Sequence, residues 1–124
     1  MPVERLQCKV QPYKWGKVGY DSIVAQLAKN SGGNDFKVDP QETYAELWCG
    51  THPSGPSTLY GTNILLSDHL KKNPKLLYGS MDMSSVVMDP RYVNDIPFLF
   101  KVLSVNSALS IQAHPDLELA KKLH

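Results

Sequence analysis

Residues 97–115 read Pro97-Phe98-Leu99-Phe100-Lys101-Val102-Leu103-Ser104-Val105-Asn106-Ser107-Ala108-Leu109-Ser110-Ile111-Gln112-Ala113-His114-Pro115, and the fold turns on how they are read. Residues 98–105 are rich in aromatic and β-branched side chains and carry one charge, Lys101. Such a run, bounded by Pro97 and by Asn106-Ser107, predicts a buried strand. Residues 108–114 alternate with period two. Leu109, Ile111 and Ala113 face one way, and Ser110, Gln112 and His114 the other. A tight hairpin turning at Asn106-Ser107 would set Lys101 opposite Gln112. Lys101, Ser110, Gln112 and His114 would then line one polar face; an odd-length loop would reverse that relation.

Gln112 and His114 sit two positions apart on the predicted strand, about 7 Å along the backbone. An imidazole nitrogen and an amide oxygen can converge on one ion from there, although a half-exposed strand face is the plainer reading of a lone Gln-x-His. Composition and spacing go no further.

Three segments, in order, resemble the type I phosphomannose isomerase family. They are the run just quoted, Tyr44-Ala45-Glu46-Leu47-Trp48-Cys49-Gly50-Thr51-His52-Pro53-Ser54-Gly55-Pro56-Ser57, and Gln11-Pro12-Tyr13-Lys14-Trp15-Gly16-Lys17. The resemblance implies a cupin-type jelly roll, incomplete in this chain, and a zinc-dependent aldose–ketose isomerase. Its reaction interconverts mannose 6-phosphate and fructose 6-phosphate, feeding mannose into GDP-mannose synthesis and glycosylation. Carried over position by position, Gln112 and His114 match two zinc ligands. Trp15, Glu46, Lys101 and Ser110 match positions that bind substrate, with the lysine's point charge suited to a phosphate dianion. The remaining zinc ligands and a catalytic arginine are expected beyond His124, which makes 1–124 the N-terminal portion of a catalytic domain, inactive by itself. The alternative is a non-catalytic cupin-like module that binds a sugar phosphate; a truncated product without function is a third reading.

At 124 residues the chain has the size of one domain, and such a chain buries about two-thirds of its unfolded surface. Its 42% hydrophobic and 20% charged content are those of a globular protein. A net charge of +1 gives no bulk electrostatic attraction to nucleic acid or to a membrane surface. Two cysteines, Cys8 and Cys49, form no disulfide framework and suit a reducing compartment. The first residues lack a secretory apolar core, and no run approaches a membrane span. The expectation is a cytoplasmic monomer whose partner is its sugar-phosphate substrate.

The remaining elements are read locally. Residues 6–10 alternate as an edge strand that ends at Gln11-Pro12. Trp15-Gly16 falls in a turn, where the indole could stack on a sugar or plug the core. Ser22 or Asp21 can cap a predicted helix over 23–30, ended by Gly32-Gly33, with Ile23/Leu27 and Val24/Ala28 on its buried face. Residues 31–40 read as a polar loop.

Residues 44–48 read as a strand with Tyr44, Glu46 and Trp48 on one face and Ala45 and Leu47 on the other. Glu46, a carboxylate between aromatics, is either salt-bridged structure or part of a site. Residues 49–57 form a rigid loop whose amides and hydroxyls could meet a phosphate or a neighbouring strand; it lacks the spacing and the lysine of a Walker loop. His52 has no ligand-spaced partner and suits a structural hydrogen bond. A short helix is predicted within 67–74. Residues 80–91 form a polar, methionine-rich loop in which Met81-Asp82-Met83-Ser84-Ser85 has no assigned role. A last helix starts near Pro115. The fold class expected from the whole is mainly β with peripheral helices.

Overall fold

The computed structural model of the chain describes residues 3–31, 36–79 and 95–124. Its strands are β1 (Leu6–Gln7), β2 (Lys9–Gln11), β3 (Lys17–Val18), β4 (Thr43–Tyr44), β5 (Glu46–Cys49), β6 (Thr58–Leu59) and β7 (Phe100–Leu103). Its helices are α1 (Ile23–Ser31), α2 (Leu66–Lys72), α3 (Lys75–Tyr78) and α4 (Leu117–Leu123). The expected terminator Gly32-Gly33 and the 80–91 loop with Met81-Asp82-Met83-Ser84-Ser85 lie outside the described residues.

All pairing among the described residues is antiparallel. The central sheet has the order β2-β5-β7, and β1–β6 and β3–β4 are two-stranded ribbons. No barrel closes among the described residues, and helices hold more of them than strands do. The expectation of a mainly β chain is therefore corrected to a mixed one, sheets of antiparallel strands with helices. No described helix is long and apolar enough to cross a membrane.

The core forms where α1 lies on one face of the central sheet. Val24, Ala25 and Ala28 are buried with Tyr44 and Leu47, and Cys8, Val10, Phe36, Val38 and Val102 pack around them. Val10, Leu47 and Val102 are register partners, so one row of side chains crosses all three strands beneath the helix. Ile23 and Leu27, expected on the buried face, are instead 45% and 38% exposed. The helix presents Ala25 to the core, because small side chains let its backbone approach the sheet closely. The supposedly polar loop also contributes, with Phe36 set edge-on to Tyr44 at 6.1 Å.

Ser22 fixes where α1 begins. Its hydroxyl accepts from the amides of Val24 (3.1 Å) and Ala25 (3.3 Å), two donors that a helix start leaves without partners. The same hydroxyl donates to the Tyr44 carbonyl at 2.7 Å, so the cap also ties the helix to the sheet.

Two strands expected to be continuous are broken by a change of partner. The 6–10 run becomes β1 and β2, which belong to different sheets. The 44–48 run divides at Ala45, whose amide donates to the Gln11 carbonyl (3.0 Å) and whose carbonyl accepts from Ser104 (2.8 Å). Gly16 is pressed against this point. A Cβ there would lie 2.6 Å from the Ala45 Cα, closer than any side chain can sit. The break turns Tyr44 into the core beside Leu47 rather than onto the face of Glu46 and Trp48.

The chain after β7 departs furthest from expectation. The Asn106 and Ser107 amides donate to the Trp15 carbonyl (2.9 and 3.2 Å), and Val105 bridges Gly16. Those bonds draw the chain toward the Trp15 turn instead of reversing it on β7. Residues 108–114 consequently pair with nothing described, and every residue from 105 to 119 is exposed. The hairpin is overturned. Among the described residues β7 is an edge strand, with Phe100 61% and Leu103 47% exposed, where a buried strand was expected. The last helix does form, capped by Asp116, whose carboxylate accepts from the Leu119 amide at 2.8 Å.

Replacing Ser22 by Ala removes the cap and leaves the Tyr44 carbonyl without its buried donor. The expected loss is about 2 kcal/mol of stability, read from the urea midpoint at an unchanged slope.

Candidate functional site

The face of the central sheet away from α1 is polar, and its register builds the candidate site. Trp48 stands between Lys9 on β2 and Lys101 on β7, and Glu46 stands between Gln11 and Leu103. Side chains alternate across a strand, so these six share the face opposite Val10, Leu47 and Val102. Lys101 was expected opposite Gln112; its register partner is Trp48.

Glu46 is the centre of this face and is only 8% exposed. Burying a carboxylate is costly unless its charge is met. Trp48 Nε1 donates to Glu46 Oε2, and Lys101 Nζ lies 3.0 Å from the same oxygen. The ammonium also sits 4.7 Å from the centre of the Trp48 ring, a cation–π contact. Among the described residues both contacts fall on Oε2, leaving Oε1 free to accept from a ligand hydroxyl. Lys101 has three donors and a side chain 37% exposed, so its pairing with Glu46 leaves donors directed at solvent.

The loop of residues 50–57 folds back over this face. Ser57 closes it, donating its amide to the Gly50 carbonyl (2.9 Å) and accepting the Gly50 amide at Oγ (3.1 Å). A Cβ on Gly55 would meet Gln11 Nε2 at 2.7 Å and the Trp48 ring at 3.0 Å, so any larger residue there would make the Gln11 side chain move and press on the indole. His52 Nδ1 accepts the Ser54 amide (3.1 Å), and its ring meets Trp48 edge-on at 5.1 Å, the structural role expected of it. The amides of Gly50, Ser54, Gly55 and Ser57 thus bond within the loop.

Of the residues singled out from the sequence, Glu46 and Lys101 come together. Trp15 occupies the turn expected of it, half-buried and stacked on Tyr13 at 5.9 Å, while its carbonyl anchors Asn106 and Ser107. Ser110, Gln112 and His114 lie on the exposed 105–119 segment. Gln112 Nε2 donates to Ser110 Oγ at 3.1 Å, which puts those two side chains on one side, as the alternation required. No hydrogen bond or ion pair among the described residues joins them to Lys101.

Two clefts, one between residues 51–53 and 95–99 and one around Lys17, Tyr20 and Asn106, are lined by none of the candidate residues. Among the described residues no group of three or more His, Cys, Asp and Glu side chains is placed to hold a metal ion. Lys9, Gln11 and Gly55 were not singled out from the sequence. Strand alternation alone could have put Lys9 and Gln11 on one face; which strand that face would meet had no local signal.

Glu46→Ala leaves the buried Trp48 N–H without its charged acceptor and is expected to cost about 2 kcal/mol. Lys101→Met removes a partly solvated charge and is expected to cost under about 1 kcal/mol. Denaturation midpoints that reversed this order would show the ammonium, not the indole, to be the main partner of Glu46.

Comparison with known proteins bears on this geometry. The family model described as the catalytic domain of type I phosphomannose isomerase matches residues 3–124. A mannose-6-phosphate isomerase of Aspergillus fumigatus is 48% identical over 124 residues, covering 100% of this chain and 26% of the relative. One from Cryptococcus neoformans is 54% identical over 114 residues, covering 92% and 25%. Mannose-6-phosphate isomerase 1 of Arabidopsis thaliana is 49% identical over 127 residues, covering 98% and 27%. The chain spans about a quarter of the length of these curated relatives.

Proposed function

Because this chain belongs to the type I phosphomannose isomerase family, we propose that it is part of an enzyme that interconverts mannose 6-phosphate and fructose 6-phosphate. The observation that carries the reading is the pairing of Lys101 with Glu46 on the polar face of the central sheet. A phosphorylated sugar needs a cation for its phosphate and acceptors for its hydroxyls, and this pair offers both within 3.0 Å.

In this reading Lys101 keeps one donor on Glu46 and turns the others to the phosphate or to substrate oxygens. Glu46 holds a sugar hydroxyl through Oε1, fixed in direction by the Trp48 and Lys101 contacts on Oε2. Trp15 forms part of the cleft rim, and Ser110 adds a hydroxyl to the polar lining. The reaction moves a proton from C2 to C1 of the open-chain sugar, with the O2 hydroxyl becoming the ketone and the aldehyde oxygen becoming a hydroxyl. Holding the substrate oxygens rigidly favours that transfer over loss of the intermediate to water.

Gln112 and His114 would contribute to a zinc site, and zinc bound there would act as a Lewis acid toward the carbonyl and its neighbouring hydroxyl. Two donors on an exposed segment do not complete such a site, since protein zinc sites use three or four ligands. The described residues alone therefore do not fit the ion, and further donors, with a catalytic arginine, would come from sequence outside these 124 residues. The edge of β7 that no other described strand covers, and the exposed Phe98, Phe100 and Leu103, suit pairing with further strands, as a cupin-type jelly roll would require. The paucity of cysteine and the near-zero net charge favour a cytoplasmic setting without nucleic-acid or membrane partners.

The test is a coupled assay of the full-length enzyme containing this sequence with mannose 6-phosphate. Lys101→Ala is expected to raise KM about 10- to 100-fold, the value of a charge-assisted contact to phosphate. Binding of mannose 6-phosphate with no turnover would replace the isomerase by a sugar-phosphate binding module. Residues 1–124 alone are expected to be inactive and to lose a competition for zinc to a weak chelator; tight binding would overturn the incomplete-site reading.

A further inference from the structure

Cys8 is the residue at which the N-terminal chain changes partner. Extending the β1–β6 register (Leu6 with Leu59, Gln7 with Thr58) by one residue sets Cys8 opposite Ser57. Extending the β2–β5 register (Lys9 with Trp48, Val10 with Leu47) back by one sets it opposite Cys49. Cys8 packs with Val10 on the helix side of the sheet, and Cys49, two residues from Leu47 on β5, takes the same side.

Directly opposed residues of an antiparallel pair have Cα atoms about 4.5–5.5 Å apart, inside the span of about 4.4–6.8 Å that a disulfide bridges. The thiols also influence one another. Burial and the neighbouring Cys49 push the Cys8 thiol up to about 11, against a weaker opposing hydrogen bond from Ser57. Both cysteines are free and only partly buried, so a small solute can reach them. Ser57 is fully buried and holds the end of the β5 segment, its hydroxyl accepting from Gly50 (3.1 Å) and donating to the Trp48 carbonyl (3.4 Å).

We propose that Cys8 and Cys49 form a redox modification site, closing reversibly to a cross-strand disulfide with a small-molecule disulfide as oxidant. One cysteine thiolate attacks a sulfur of oxidised glutathione and expels one glutathione thiolate, leaving a mixed disulfide on the protein. The other cysteine, deprotonated, attacks the protein sulfur of that mixed disulfide and expels the second glutathione. The protein gives up two electrons and two protons, and the small disulfide is reduced to two thiols. The new bond joins β2 to β5 on the helix side, behind the face that carries Glu46 and Trp48, and places no bulk on that face. A reducing glutathione pool reverses it.

The test is peptide mapping of the native full-length protein after incubation with millimolar oxidised glutathione, with remaining thiols alkylated before digestion. The expected product is a Cys8–Cys49 linked peptide pair, lighter by two hydrogens than the separate thiol peptides. It should exceed singly glutathionylated peptides about tenfold or more, because opposed thiols face each other at a high effective concentration. The same incubation in denaturant is expected to reverse that ratio, and Cys8→Ser is expected to trap the mixed disulfide on Cys49. Separate adducts without a link in the native protein, no modification of either cysteine, or an equal yield of the link in denaturant would each overturn the proposal. The readout is a mass, so it stands or falls separately from isomerase activity.

Discussion

The pairing of β5 on both of its edges is the constraint from which the described structure follows. β2 and β7 satisfy its backbone on either side, so its four residues can project to two fully built faces. Toward α1 they give Leu47 and Cys49 to the apolar side; away from it they give Glu46 and Trp48. Each face depends on the other through the same backbone. A shift of register by one residue would place the carboxylate under the helix and Leu47 beside Lys101, burying an unmet charge. The core and the polar site are consequently selected together.

The polar face shows how a buried carboxylate is held near a surface. Glu46 is met by an indole N–H that is fixed by packing and by an ammonium that reaches in from β7. The two partners differ in kind. The indole is part of the sheet's covering and has little freedom, whereas the lysine is partly solvated and can share its donors. That division suits a site in which one partner preserves geometry and the other exchanges protein contact for ligand contact.

Local signals in the sequence were dependable where one residue decides one structural event. Ser22 caps α1, α4 begins just after Pro115, His52 bonds within its own loop, and Glu46 and Trp48 share a face because side chains alternate along a strand. Signals that presuppose a partner failed. The alternation of residues 108–114 is compatible with a strand, but a strand needs a neighbour, and the amides of Asn106 and Ser107 are drawn to the Trp15 carbonyl instead. Ile23 and Leu27 have helical spacing yet face outward, because the close approach of α1 to the sheet favours Ala25.

By itself the sequence determined the family, the starts of α1 and α4, and the set of chemically capable side chains, since these depend on residue identity and on neighbours a few positions away; α3 had no such signal. The tertiary structure alone decided that Lys101 belongs to Glu46 and Trp48 rather than to Gln112, and that Cys8 faces Cys49. It also decided that the runs at 6–10 and 44–48 each break where they change partner. Those outcomes rest on strand register and on which backbone groups find donors across long stretches of chain. Register is a relation between distant segments, and no short-range pattern carries it.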